Sequence, residues 1–183
     1  VSFTGSAATA LKLRQTPAIV ENSVRFVAEQ DSLNASILGP DAAPGTPEFD
    51  LFIKEVQREM TTKAGQKCTA IRRIIAPQNQ VAAVIDALSE RLSKTVIGDP
   101  NKAETRMGAL VSNDQKRDVL EKAAIIGGEA EQVYGNDDFA DHKGAFVSPM
   151  VFHCADPDAA QRVHDTEAFG PVSTVMGYRD LDH

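Results

Sequence analysis

The stretch from Thr46 to Ile75 constrains the fold more than any other. Thr46 is a good N-cap and Pro47 a good first helical residue, and Phe49, Phe52, Ile53, Val56 and Met60 then recur at helical spacing. The pattern predicts an amphipathic helix of about four turns. It should end near Lys63-Ala64-Gly65, with Gly65 as the C-terminal stop. Cys68 follows at once and leads into the strand-like run Ala70-Ile71-Arg72-Arg73-Ile74-Ile75, so it lies in a tight loop between a helix and a strand.

The rest of the chain repeats this alternation. Val1-Ser2-Phe3-Thr4 reads as the end of a strand that turns at Gly5-Ser6 into a helix from Ala7 to Arg14. Strands are expected at Val24 to Ala28 and Ala35 to Leu38, separated by the polar turn Gln30-Asp31-Ser32 and followed by a loop from Gly39 to Gly45. Val81, Val84, Ile85, Leu88 and Leu92 mark another amphipathic helix, closed by Gly98-Asp99-Pro100. Ser112-Asn113-Asp114-Gln115 has the form of a capping box, opening a helix that stops at Gly127-Gly128. Further strands are expected around Glu131 to Tyr134, Ser148 to His153 and Val172 to Gly177, with a short helix from Pro157 to Val163 capped by Asp156. Such alternation predicts an α/β layer fold with a largely parallel sheet.

A formal charge of -7 argues against a nucleic-acid surface, which needs clustered Lys and Arg to neutralise phosphates. The densest basic patch, Lys67, Arg72 and Arg73, reads as a solvated strand edge. No run of about 18 apolar residues suggests a membrane span. The opening Val1-Ser2-Phe3 shows neither a native start nor a signal peptide, so Cys68 and Cys154 are expected as reduced thiols of a cytoplasmic protein. Neither has a second ligand at zinc spacing, and no metal is expected.

Lys63 and Lys67 stand close to Cys68, and nearby cations favour the nucleophilic thiolate. The commoner role of a cysteine is that of a small buried hydrophobe, the reading kept for Cys154. Glu29 ends an apolar strand and is a candidate water-activating base, although a solvated strand-end carboxylate would look the same. His142, His153, His164 and His183 have no supporting motif and read as surface or loop residues.

Phe3-Thr4-Gly5-Ser6, Glu29, Gly65-Gln66-Lys67-Cys68 and Glu167-Ala168-Phe169-Gly170-Pro171 occur in the order and approximate spacing of the aldehyde dehydrogenase signatures. Gly144-Ala145-Phe146-Val147-Ser148-Pro149 is similar to another family segment, so the chain resembles that family throughout. The resemblance implies a three-layer α/β catalytic domain over residues 29–183, incomplete at its C-terminus, with residues 1–28 closing the cofactor-binding domain. It implies Cys68 as nucleophile and Glu29 as general base. Gly5 and Ser6 would lie beside the cofactor pyrophosphate, Glu167 would bind the nicotinamide ribose, and Phe169 would pack beside it. The cofactor would be NADP or NAD, the substrate a small aldehyde, and the full-length enzyme a homo-oligomer. An upstream Asn would complete the oxyanion hole, within roughly 240 residues preceding Val1. The isolated fragment is expected to be inactive.

After Glu29 the family pattern has Leu-Gly-Gly, whereas this chain has Gln30-Asp31-Ser32-Leu33-Asn34. Glu29 and Cys68 are separated by 39 positions, with a small insertion around Pro44 to Glu48. Together these resemble the bifunctional phenylacetate-degradation branch, which oxidises the CoA-linked semialdehyde released by oxepin-CoA ring opening and favours NADP. A CoA-acylating or reductase-type relative would keep Cys68 but have less use for Glu29. A non-enzymatic folding or oligomerisation module is the third reading.

Overall fold

The computed structural model describes residues 1–135, 139 and 143–183. His142 lies outside the described residues. The chain divides into two compact units, Val1–Ser32 and Leu33–His183.

In the first unit, β1 (Ser2–Gly5) pairs in parallel with β2 (Val27–Gln30), with Thr4 opposite Glu29. Between them run α1 (Ala7–Arg14) and the one-turn α2 (Pro17–Glu21). Ser6 caps α1 by accepting from the Thr9 N–H at 3.3 Å. The strand expected at Val24 to Ala28 is shifted toward Gln30. The Val24 N–H closes the end of α2 on the Ile19 carbonyl at 3.0 Å, so it is not available to a ladder. α2 adds a turn of helix, opened by Thr16 and Pro17, where the sequence pattern gives no apolar periodicity.

The second unit is built on a five-stranded sheet in the order β3 (Asn34–Ile37), β4 (Ile71–Pro77), β7 (Val172–Tyr178), β6 (Met150–Cys154), β5 (Glu131–Tyr134). All neighbours are parallel except β5 with β6. The helices are α3 (Pro47–Thr61), α4 (Val81–Ser93), α5 (Asn113–Ile126) and the short α6 (Arg162–Asp165). Thr46 caps α3 by accepting from the Phe49 N–H, and Ser112 caps α5 by accepting from the Gln115 N–H.

Side-chain alternation along the strands separates two cores. Ile74, Val151 and Val175 join Phe49, Ile53, Val56 and Met60 of α3 and Val84, Leu88 and Leu92 of α4. Phe152, Val172 and Met176 join Val119, Ala123 and Ile126 of α5 and Val163 of α6. Helices therefore cover both faces of the sheet in the three-layer α/β arrangement expected of it.

The helix expected at Pro157 to Val163 is replaced by a turn and α6. Asp156 does accept from the Ala159 N–H at 3.3 Å. However, the Glu129 carboxylate takes the Gln161 and Arg162 N–H groups at 2.9 and 2.5 Å, which starts the helix later. Two histidines also depart from the surface-or-loop reading. His153 is half-buried in β6, and His164 lies in α6 with its Nε2 2.9 Å from the Pro157 carbonyl. Among the described residues, no helix is long and apolar enough to cross a membrane.

Candidate active site

The polypeptide leaves α3 through three consecutive residues with positive φ: Lys63 (54°), Ala64 (52°) and Gly65 (69°). Only the last is a glycine, and only there is one demanded. A Cβ on Gly65 would lie 2.3 Å from the Gly170 carbonyl oxygen, well inside contact distance. The chain then makes a tight turn closed by Ala70 N–H donating to the Lys67 carbonyl at 3.2 Å, with Cys68 at its exposed corner. Asn34 at the start of β3 donates from Nδ2 to the carbonyls of Cys68 and Ala70. Gln66 accepts the Val111 N–H at 2.9 Å, tying the same turn to the approach to α5. The turn that carries the nucleophile candidate is thus held by Asn34 on one side and through Gln66 on the other.

Of the two lysines read as neighbours of the thiol, Lys67 is paired with a carboxylate. Lys67 Nζ is held by both carboxylate oxygens of Glu59, at 2.9 and 2.7 Å. Arg72 and Arg73 do not form a solvated edge, because β4 has partners on both sides. Arg73 donates to the Leu33 carbonyl, and Arg72 is only 5% exposed.

Arg72 joins the two loops that carry the sequence signatures. Its guanidinium donates to the Gly170 carbonyl at 2.5 Å and the Gly65 carbonyl at 2.8 Å. It lies 3.8 Å from the Glu167 carboxylate and stacks 5.6 Å from the centre of the Phe169 ring. Burial lowers its pKa below the ordinary arginine value, and Glu167 works in the opposite direction. It stays charged, since arginine is not deprotonated in proteins. Sequence reasoning missed this residue. The available signal was a charge in the buried phase of a strand, in step with Ile74 and Ala76.

The Glu167–Pro171 loop is compact. Gly170 N–H donates to the Ala168 carbonyl at 2.7 Å, and the Pro171 carbonyl accepts from Met150 at 2.8 Å. The Glu167 side chain is 12% exposed and, like the Phe169 ring, lies against Arg72. In the first unit, Glu29 is exposed on β2. At the start of α1 the Ser6 hydroxyl is committed to Thr9, and the Asp31 carboxylate accepts the Ala7 N–H at 3.1 Å. Cys154 is buried, as its reading as a small hydrophobe requires.

The structure thus presents a cysteine on an exposed turn, tied through Arg72 to a glutamate-phenylalanine loop, in a three-layer α/β domain. The chain belongs to the aldehyde dehydrogenase family, which it matches over residues 1–183. It is 50% identical to a 3,4-dehydroadipyl-CoA semialdehyde dehydrogenase from Aromatoleum evansii, over 98% of this chain and 36% of that protein. It is 28% identical to a 1-pyrroline-5-carboxylate dehydrogenase from Geobacillus thermodenitrificans, over 100% of this chain and 35% of the relative. Among solved structures it resembles betaine aldehyde dehydrogenase from Staphylococcus aureus in complex with NAD+, with TM-score 0.83 and 26% identity, covering 98% of this chain and 35% of the other. Aldehyde dehydrogenase C from Pseudomonas syringae, complexed with NAD+ and octanal, gives TM-score 0.83 at 26% identity over 99% and 36% of the two chains. The chain spans about a third of the length of these relatives.

Proposed function

We propose that this chain is the catalytic region of an NAD(P)-dependent aldehyde dehydrogenase acting on a CoA-linked semialdehyde of aromatic-acid catabolism, of the phenylacetate type. The observation that carries the reading is the shared buried Arg72, which holds the Cys68 turn and the Glu167–Pro171 loop together. The 50% identity to a CoA-linked semialdehyde dehydrogenase supports the substrate class. In this reading residues 1–28 close the cofactor-binding domain and 29–183 form the catalytic domain.

The residues fit the nicotinamide-ribose half of the cofactor. Glu167 offers carboxylate acceptors to ribose hydroxyls and Phe169 a flat apolar wall, both sheltered. At the pyrophosphate end the fit is poorer, because the Ala7 and Thr9 amides beside Gly5 and Ser6 already have side-chain partners. Cofactor binding there requires Asp31 to move.

Chemistry starts at the Cys68 thiolate, which adds to the aldehyde carbon to give a thiohemiacetal whose oxyanion the Cys68 N–H is suited to stabilise. Bound nicotinamide supplies the hydride acceptor. As the oxyanion re-forms its C=O bond, the C–H electron pair leaves with the hydrogen as hydride to that acceptor, and the adduct becomes a thioester. Glu29 then takes a proton from water, the hydroxide adds to the thioester carbon, and the C–S bond breaks to release the carboxylate and restore the thiol. The deacylation step requires Glu29 and Cys68 to share one site.

The test uses the full-length polypeptide containing this chain. Cys68→Ala should abolish reduced-cofactor formation with CoA-linked semialdehydes. Glu29→Gln should keep one burst of hydride transfer and accumulate acyl-enzyme, detectable as a mass increase. Full steady-state activity in either variant would sink the reading, and release of the acyl group only to an added thiol would replace it with a CoA-acylating one. The 183-residue chain alone should show no turnover.

A further inference from the structure

A buried arginine is costly unless its charge and its donors are matched, so what it bonds to shows what the site requires. Arg72 is not matched within its own strand pair. Its terminal nitrogens donate to the main chain of two loops far apart in sequence, at Gly170 and Gly65, its Nε has no partner among the described residues, and its charge and flat face go to Glu167 and Phe169. Ser173 strengthens the same seam, donating to the Ile71 carbonyl at 2.6 Å. The rigid planar fork of a guanidinium fixes both direction and separation, which a lysine ammonium does not.

We propose that Arg72 is a positioning residue for hydride transfer. It sets the separation between the turn that carries Cys68 and the carboxylate and ring expected to hold the nicotinamide ribose. This rests on the functional reading above. In this role Arg72 need not touch substrate or thiol. It acts through Glu167, Phe169 and the backbone of Gly65, and therefore matters for the step that needs thiol and cofactor in register. Thioester hydrolysis needs the thiol but not that register.

Two variants of the full-length polypeptide test this. Arg72→Met keeps an unbranched side chain without the donors, and Arg72→Lys keeps the charge without the fork. The readouts are the single-turnover burst of reduced cofactor at saturating NAD(P) and aldehyde, and the hydrolysis of an activated ester by the Cys68 thiol without cofactor. Misplacement by about 1 Å costs on the order of a hundredfold in rate. We expect a loss of that size in the burst of Arg72→Met and a smaller loss in Arg72→Lys, in each case larger than the accompanying loss of ester hydrolysis. Should the methionine variant fail to fold, the lysine variant decides alone. A burst preserved in the variants, or a burst and ester hydrolysis falling by the same factor, overturns the inference. A parent that hydrolyses the ester but gives no burst with any aldehyde overturns the functional reading, and this inference falls with it.

Discussion

Gly65 and Gly170 meet main chain to main chain: a methyl group on the first would stand 2.3 Å from the carbonyl oxygen of the second. Arg72 then donates to the carbonyls of both, so the contact is clamped as well as close. Gly65→Ala should fail twice. It puts a side chain at a φ of 69° and drives it into backbone that cannot yield as a flexible side chain would. Strain of this kind costs on the order of 1–3 kcal/mol before the overlap is counted. Chemical unfolding of the full-length polypeptide should show a loss of at least that size. Gly45→Ala, also at positive φ (89°) but with open space around its Cβ, should lose less.

What the sequence made legible was local. Thr46 and Pro47 open α3, and Ser112 opens α5, because a cap is decided by residues within one turn. Gly65 marked the end of α3's signal and Cys68 the turn beyond it, for the same reason. The errors arose where a distant group intervened. Glu129 lies more than 30 positions before the amides that it claims in α6, and Gly170 is 98 positions from Arg72. Arg72 and Arg73 were read as a solvated edge because nothing in their neighbourhood shows that β4 is flanked by β3 and β7. The roles of Cys68, Glu29, Glu167 and Phe169 came from motif order, which names residues but not the arginine that unites two of the motifs.

The two thiols should separate cleanly by chemistry. Cys68 is exposed and Cys154 is 1% exposed, its pKa raised by burial. Brief iodoacetamide treatment at pH 8 followed by peptide mapping should label Cys68 and leave Cys154 unlabelled until denaturant is added. The buried thiol also predicts a pH trend. Above about pH 8.5 an unfolded cysteine releases its proton while the native Cys154 keeps it. The unfolded state then binds fewer protons, so stability falls as pH rises. Cys154→Ala should remove that component of the alkaline slope, and an unchanged slope would contradict the assignment.

Glu129 decides where α6 begins, and its removal should be felt there first. In Glu129→Ala the Gln161 and Arg162 amides lose an acceptor at 2.9 and 2.5 Å. Loss of a helix cap costs on the order of 1 kcal/mol, and solvent is available here to take over part of the bonding. Hydrogen exchange should therefore accelerate about fivefold, the rate equivalent of that energy, at residues 161–166, while the amides of β7 stay unchanged. Acceleration spread evenly over the sheet would show that Glu129 supports the whole unit instead.

Asp31 stands where the aldehyde dehydrogenase pattern has a glycine, and its backbone adopts a positive φ (46°), a region that glycine enters without strain. Asp tolerates this region better than most residues, and it brings a carboxylate to the N-terminus of α1, bonded to the Ala7 N–H. That is the end of a helix where a cofactor phosphate would gain from the dipole and the exposed amides. A phosphate bound there would compete with the carboxylate for the amide and be repelled by its charge. Asp31→Gly should therefore tighten cofactor binding by about two- to fivefold at low ionic strength, the equivalent of a helix-terminus charge effect. The gain should shrink as salt screens it. Asp31→Asn separates the contributions, since it keeps an oxygen acceptor for Ala7 while removing the charge. Titration of NAD and NADP into the three full-length proteins, followed by fluorescence, measures this. Weaker cofactor binding in both variants would show that Asp31 stabilises the bound state by ordering α1, and that its charge is no obstacle.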